Sequence, residues 1–478
     1  MQDFDIIIIG AGTAGIPAAI EAVAAGARTL LVEQSDRVGG TLHVSAAQMS
    51  GAGTRLQRER GIADSADAHV ADVLRISRNT CNAALVAKAA QLGGATIDWL
   101  MDLGFDMDPI CPVILHFHEA YHTPRTYWGR DGGRSVLRVL LPLFERAMAR
   151  PNATLRLNTE AVSLTLGARG TVTGLRLRDT QSGETQTVST GSVVLATGGY
   201  AGNRAMFARL TGGTPLYTPA LPIATGHGIA MAEAAGAVVR GSEHFIPTFA
   251  GIEEEPGTGR VLWEHLPNLI PQVRPPWEIY VDRDGHRFVQ EDIDSIDARE
   301  QALMRLPNLT FWVVFDDAML RQAPPLLPGW QPQDLARAWA SNPAFAQADT
   351  IEALATRAGI DPAGLAATVA TYNRAQATGA DLLRRQHLPA PIATPPFRAI
   401  RMHGIVLKTP AGIAVDTELR VLDRDGAPIP NLYAIGEAMG GATLSGNAFV
   451  GGMSVTPALS FGRWLGQTLG RRHARATA

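Results

Sequence analysis

Apolar residues change their spacing several times along this chain of 478 residues. Residues 4–9 end in an unbroken isoleucine run, the pattern of a strand buried on both faces of a parallel sheet. A glycine turn follows, then residues 14–25 read as an Ala-rich helix and 28–33 as a second buried strand. Together they predict a β-α-β unit, the opening of a Rossmann-type domain. Two Ala/Leu-rich helical patterns lie between residues 76 and 104, and 134–149 predicts another helix with an internal proline. The stretch 105–133 between them is irregular. It carries His116, His118, Tyr121, His122, Arg125, Tyr127, Trp128 and Gly132-Gly133, a density of polar and aromatic groups that marks a functional loop.

Period-two alternation predicts strands at 154–158, 161–165, 171–178 and 186–190, before an apolar strand at 192–196. From about residue 241 the texture shifts: prolines cluster between 247 and 276, Trp263, Trp277 and Trp312 appear, and helices are predicted at 334–341 and 350–376. A second domain over 241–395, inserted into the first, accounts for this change. The first domain is then built from residues 1–240 and 396–478, with the Pro-rich stretch 388–397 as the return linker. Elements at 412–422, 432–435 and a helix at 456–470 complete it. The fold class expected is α/β: a Rossmann-like domain carrying an inserted α+β domain.

Composition narrows the picture. With 46% hydrophobic residues, 18% charged residues and a net charge of -3, the chain reads as a globular enzyme rather than a nucleic-acid binder. Cys81 and Cys111 stand in unrelated contexts, so neither a disulfide framework nor a metal site is expected. Glycines, Pro17 and Glu21 interrupt the apolar stretch Ile6–Ala25, which argues against a signal or membrane segment and for a cytoplasmic location without membrane partners.

The first glycine turn carries the chemistry. Gly10-Ala-Gly12-Thr13-Ala14-Gly15 follows a buried strand and opens a helix. Gly10 allows the turn, Gly12 lets backbone approach a pyrophosphate, Gly15 lets helix and strand pack, and the helix N-terminus favours phosphate charge. Glu33 and Gln34 end the second strand, where the carboxylate can accept ribose hydroxyls. Three further backbone-approach segments follow: Val38-Gly39-Gly40-Thr41, Ala196-Thr197-Gly198-Gly199-Tyr200, and 431–437 with Gly436 and Glu437. One extended cofactor that crosses the sheet and meets the chain again near its end explains all of them, which selects FAD over NAD.

With these motifs in this order, the whole chain resembles the fumarate reductase and succinate dehydrogenase flavoprotein superfamily, including soluble fumarate and urocanate reductases and 3-ketosteroid dehydrogenases. Thr225-Gly-His-Gly-Ile229 and Asp284-Gly-His-Arg-Phe-Val-Gln-Glu-Asp292 are similar to two more of its segments. The resemblance implies an FAD domain built from both chain ends and a mobile capping domain. It also implies non-covalent FAD, because the position of the tethering histidine matches Thr41, with His43 two residues on. Residues that grip a dicarboxylate in fumarate reductases correspond here to Ile246, to Leu407 or Lys408, and to Ala448, so a neutral or mono-acidic substrate is expected. The segment 451–462, with Gly452, Ser454 and Val455, is similar to the glycine-rich segment of ketosteroid dehydrogenases that leads into a helix aimed at the flavin pyrimidine.

The expected activity is hydride transfer between flavin N5 and a carbon–carbon bond beside a carbonyl, with an acid or base handling the adjacent proton. The resemblance offers Glu291, Arg299 and Arg321 of the capping domain as a proton relay, although Arg321 falls one residue beyond the expected spacing. On a helix one residue turns a side chain by about 100°. Tyr121, His122 and Tyr127 are the other proton-handling candidates, and Lys408 a point charge for a substrate oxygen. The expected partners are a small molecule with a carbonyl or carboxylate and an electron donor or acceptor that the sequence does not name. A fumarate- or urocanate-type reductase of an unsaturated acid, a flavin oxidase and an electron-transfer flavoprotein subunit remain open alternatives.

Overall fold

The computed structural model describes residues 3–263 and 266–477. Two sheets organise it. The first has strand order 420–422, 428–434, 193–195, 6–9, 29–32, 153–156, all parallel except the antiparallel edge strand 420–422. Ile6–Ile9 and Thr29–Val32 are buried throughout, as strands covered on both faces must be. Strand Pro428–Ala434, from the far end of the chain, lies directly beside Val193–Leu195, so both chain ends build one sheet. A three-stranded antiparallel sheet of Thr159–Leu166, Val172–Asp179 and Thr185–Ser189 stands beside it.

Helices Gly15–Ala24 and Val455–Thr477 pack against each other unusually closely, because glycines and alanines face one another. A Cβ at Gly462 or Gly466 would collide with the carbonyl of Ala14 or Ala18, and one at Gly470 would come within 2.6 Å of Ala25 Cβ. Gly466→Leu is therefore expected to destabilise the first domain by about 3 kcal/mol, the upper end of what overpacking costs. A lowered urea midpoint of the flavin-free protein would register it; an unchanged midpoint would contradict this close packing.

The second sheet is antiparallel, in the order 248–251, 397–405, 310–315, 279–281, with Phe345–Ala348 also paired to Phe397–Ile405. It has its own core, which includes Phe249, Phe311, Ala399, Ile400 and Met402. Here the structure corrects the expected boundary. Residues 397–405 belong to the inserted domain, so the chain rejoins the first domain after Ile405 rather than at 396. The strand escapes a pattern reading because Arg398 and His403 interrupt its apolar residues, and both are buried against acids, Asp317 and Glu253.

Two helical expectations also differ. The 76–104 stretch holds a single helix, Ala83–Asp102, capped by Asn82 and preceded by Ala66–Ile76; the break falls where Arg78 and Asn79 take positive φ. The 350–376 pattern divides into Ile351–Ala358 and Pro362–Thr378 at Gly359, whose φ of 74° ends the first helix. Among the described residues, no helix is long and apolar enough to cross a membrane and no group of His, Cys, Asp and Glu could hold a metal ion. Cys81 and Cys111 are free.

Candidate active site

The C-terminal ends of the parallel strands open onto one cleft of about 470 Å³, the place where an open α/β sheet binds its ligands. Every cofactor residue expected from the sequence lines it except Gly15 and Gly39. Those two act from behind: a Cβ at Gly15 would run into the Gly10 carbonyl, and the Gly39 N–H donates to Ala11 O at 2.8 Å. Gly10 takes φ 101° and packs on Ala196, where a Cβ would sit 2.5 Å from the carbonyl oxygen. Gly12 differs, since a Cβ there would meet nothing within 4 Å and would project into open space.

Four features fit a dinucleotide. Helix Gly15–Ala24 starts after Ala14 with no side-chain cap and no acidic residue in its first turn, which leaves its N-terminal N–H groups for an anion. Glu33 is buried at the strand end and accepts from Ala11 N at 2.8 Å and from Ser35 N and Oγ, a posture that fixes its carboxylate beside the glycine turn. The Thr197 hydroxyl is buried on the cleft wall with no partner, which calls for a polar ligand atom. Gln34 Nε2 donates to Ile223 O at 3.0 Å and ties the 219–225 loop over the same end. Further along, Gly452, Ser454 and Val455 line the cleft at the start of helix Val455–Thr477, whose positive end faces inward.

Comparison with known proteins agrees with this geometry. A family profile described as an FAD binding domain, FAD_binding_2, matches residues 5–455. The chain belongs to that FAD-binding family. This FAD-binding protein is an oxidoreductase, as its relatives are. It is 28% identical over 466 residues to a probable fumarate reductase, Ifc3, of Shewanella frigidimarina, across 96% of this chain and 74% of that protein. It also superimposes on the open conformation of a flavocytochrome c3 fumarate reductase with a TM-score of 0.74 and 26% identity, across 98% of this chain and 78% of the other. A 3-ketosteroid delta1-dehydrogenase from Sterolibacterium denitrificans shares the fold, with a TM-score of 0.78 and 21% identity over 99% of this chain and 100% of that one.

At the other end of the cleft the walls include Leu407, Met439, Leu444 and Phe449. Among the described residues, Lys408 is the only lysine or arginine that lines it. Its Nζ donates to Ser445 Oγ at 2.9 Å and lies 4.3 Å from the centre of the Phe449 ring. His118 stacks on that ring at 3.6 Å, and its Nδ1 has no partner. Burial pushes Lys408 down to about 8, partly opposed by Glu437, and burial with the Lys408 charge pushes His118 down to about 3. His118 is thus a neutral ring in the working pH range. Glu437, held by Thr409 N and Oγ1, is raised by its burial.

The remaining sequence candidates do not gather here. Tyr121 is buried behind Gly451, to whose carbonyl its hydroxyl donates, and burial raises its pKa. Tyr127 bonds Thr54 Oγ1 at 2.8 Å, and His122 is held by Asp72 at 2.7 Å; neither lines the cleft. Arg321 lies on the surface helix Asp317–Gln322, its side chain 65% exposed and paired with Asp317. Glu291 and Arg299 are buried yet unpaired with each other: Glu291 is clamped by Arg287 and Arg385, while Arg299 donates to the Leu269 carbonyl and stacks over Phe249. Sequence reasoning saw His118 only as one of many polar loop residues. Nothing in its spacing points to Phe449, which lies over three hundred residues away.

Proposed function

We propose that this flavoprotein reduces or desaturates a carbon–carbon bond beside a carbonyl, on a neutral or mono-acidic substrate, with FAD bound non-covalently. FAD, when bound, supplies the hydride donor or acceptor at flavin N5. The chain supplies the rest: an apolar chamber formed by Phe449, His118 and Leu444, and one cation, Lys408, to hold and polarise a substrate oxygen. That single cation carries the reading. A dicarboxylate needs charged partners for both ends, yet Ile246 and buried Ala448 occupy two of the positions that the resemblance assigns to gripping residues. Non-covalent binding is supported by His43, whose Nε2 bonds Val38 O at 2.9 Å and which does not line the cleft.

A panel of cyclic enones, unsaturated monocarboxylic acids and fumarate, assayed with both reduced and oxidised dyes, tests this reading. Turnover is expected on an enone, its saturated ketone or a monocarboxylic acid. Fumarate as the best substrate would defeat it.

A further inference from the structure

Helix Ile296–Leu303 is the part of the inserted domain that docks beside Lys408. Three contacts seat it on the first domain. The Ser295 hydroxyl donates to Glu119, Arg78 Nη2 reaches Asp297 Oδ2 at 3.5 Å, and Gln301 Nε2 donates to the Asn447 carbonyl at 3.2 Å. Asp297 and Glu300 are three residues apart and so share one helix face. Both are buried, at 0% and 1% exposure, and neither Asp297 Oδ1 nor either Glu300 oxygen has a hydrogen-bond partner.

Carboxyls this deeply buried are tolerated only if they hold a proton or answer an opposite charge. Arg78 is the larger opposite charge at Asp297 and Arg299 at Glu300, and Lys408 is the next at both. Lys408 feels Glu437 from its own domain and then Glu300 and Asp297 from the docked helix. Asp297 also lies against the Phe449 backbone N–H, and the ring of the same residue sits beneath the lysine ammonium. The other charged groups at the seam are Glu119, Arg78 and Arg299, with neutral His118 completing the set.

We propose that Asp297 and Glu300 are positioning residues whose charge acts on Lys408 across the domain seam, so that docking of their helix sets the charge on the lysine facing the substrate. This rests on the reading of Lys408 as the group that meets the substrate oxygen. Burial, then the charge of Glu119, raises Asp297 to about 7, while burial, then Asp297, raises Glu300 well above the ordinary range. As pH rises the pair loses protons and becomes anionic, which favours the cationic form of Lys408. Without the two helix carboxylates, the opposing charge left at Lys408 among the described residues is Glu437.

Trace acetylation of the flavin-loaded protein with acetic anhydride across a pH series, read by peptide mass spectrometry, reports the titration of Lys408 without any substrate. In the wild type Lys408 is expected to titrate near 8. In the double variant Asp297→Asn, Glu300→Gln the midpoint is expected to fall by about one pH unit. A midpoint that stays in place in the double variant overturns the proposal. If that variant does not fold, Glu300→Gln alone is read in the same way: a downward shift supports the proposal and none overturns it. The alkaline limb of turnover against pH should move with the labelling midpoint. If labelling shifts while turnover does not, the seam coupling stands and the assigned role of Lys408 in turnover falls.

Discussion

Gly12→Glu is expected to give a well-folded protein that has lost its colour. The backbone at Gly12 is not in the left-handed region, and a Cβ there meets nothing within 4 Å, so the change costs the fold little. The added carboxylate would instead stand in the space reserved for the pyrophosphate, beside the free N–H groups of helix Gly15–Ala24. Like charges in that enclosed space should weaken FAD at least about 100-fold, roughly 3 kcal/mol. Gly10→Ala serves as the contrast, because its φ of 101° and the nearby Ala196 carbonyl make it a folding lesion rather than a binding one. Circular dichroism separates the two, and flavin absorbance per folded chain measures the effect. A yellow Gly12→Glu protein of ordinary flavin content would show that the glycine turn does not face the phosphates.

The second large effect concerns Lys408. Lys408→Met keeps the length and apolar stem of the side chain but removes the cation, so FAD should remain bound while turnover falls about 100-fold, the scale for losing one preorganised electrostatic partner. Arg321→Ala should leave turnover within about twofold, since its exposed pair with Asp317 lies outside the cleft. For the wild type the sign with pH follows from the depressed lysine: the cation is present below about 8 and disappears as pH rises through it, so the rate should fall on that alkaline limb. The opposite result, with Arg321→Ala inactive and Lys408→Met active, would return the proton relay to the capping-domain arginine.

The proposed coenzyme half of the site is legible in the sequence because it is made of backbone. A glycine turn, a strand-end acid and small residues at later strand ends are demanded by close approach to a phosphate chain, and each leaves a fixed local pattern, as at Gly10, Gly12, Glu33 and Gly436. The proposed substrate half is built from side chains that only the fold assembles. Lys408, His118 and Phe449 come from three distant segments, and no periodicity links them. Helix Ile296–Leu303 is rich in charged residues, yet Asp297, Arg299 and Glu300 are all buried. Hidden charge defeats pattern reading for the same reason at Phe397–Ile405, where Arg398 and His403 lie inside a sheet. Arg321 and Glu291 were placed by resemblance, and at both positions local ion pairs absorb the charge.

The insertion of strand Pro428–Ala434 beside Val193–Leu195 has a temporal meaning. Gly436 and Glu437 follow that strand, and the helix that packs on Gly15–Ala24 comes later still. A chain emerging from the ribosome therefore has no finished flavin pocket until residues 428–437 have been synthesised. Coenzyme capture must follow synthesis of that strand, and a chain truncated before Pro428 is expected to lack a complete flavin pocket.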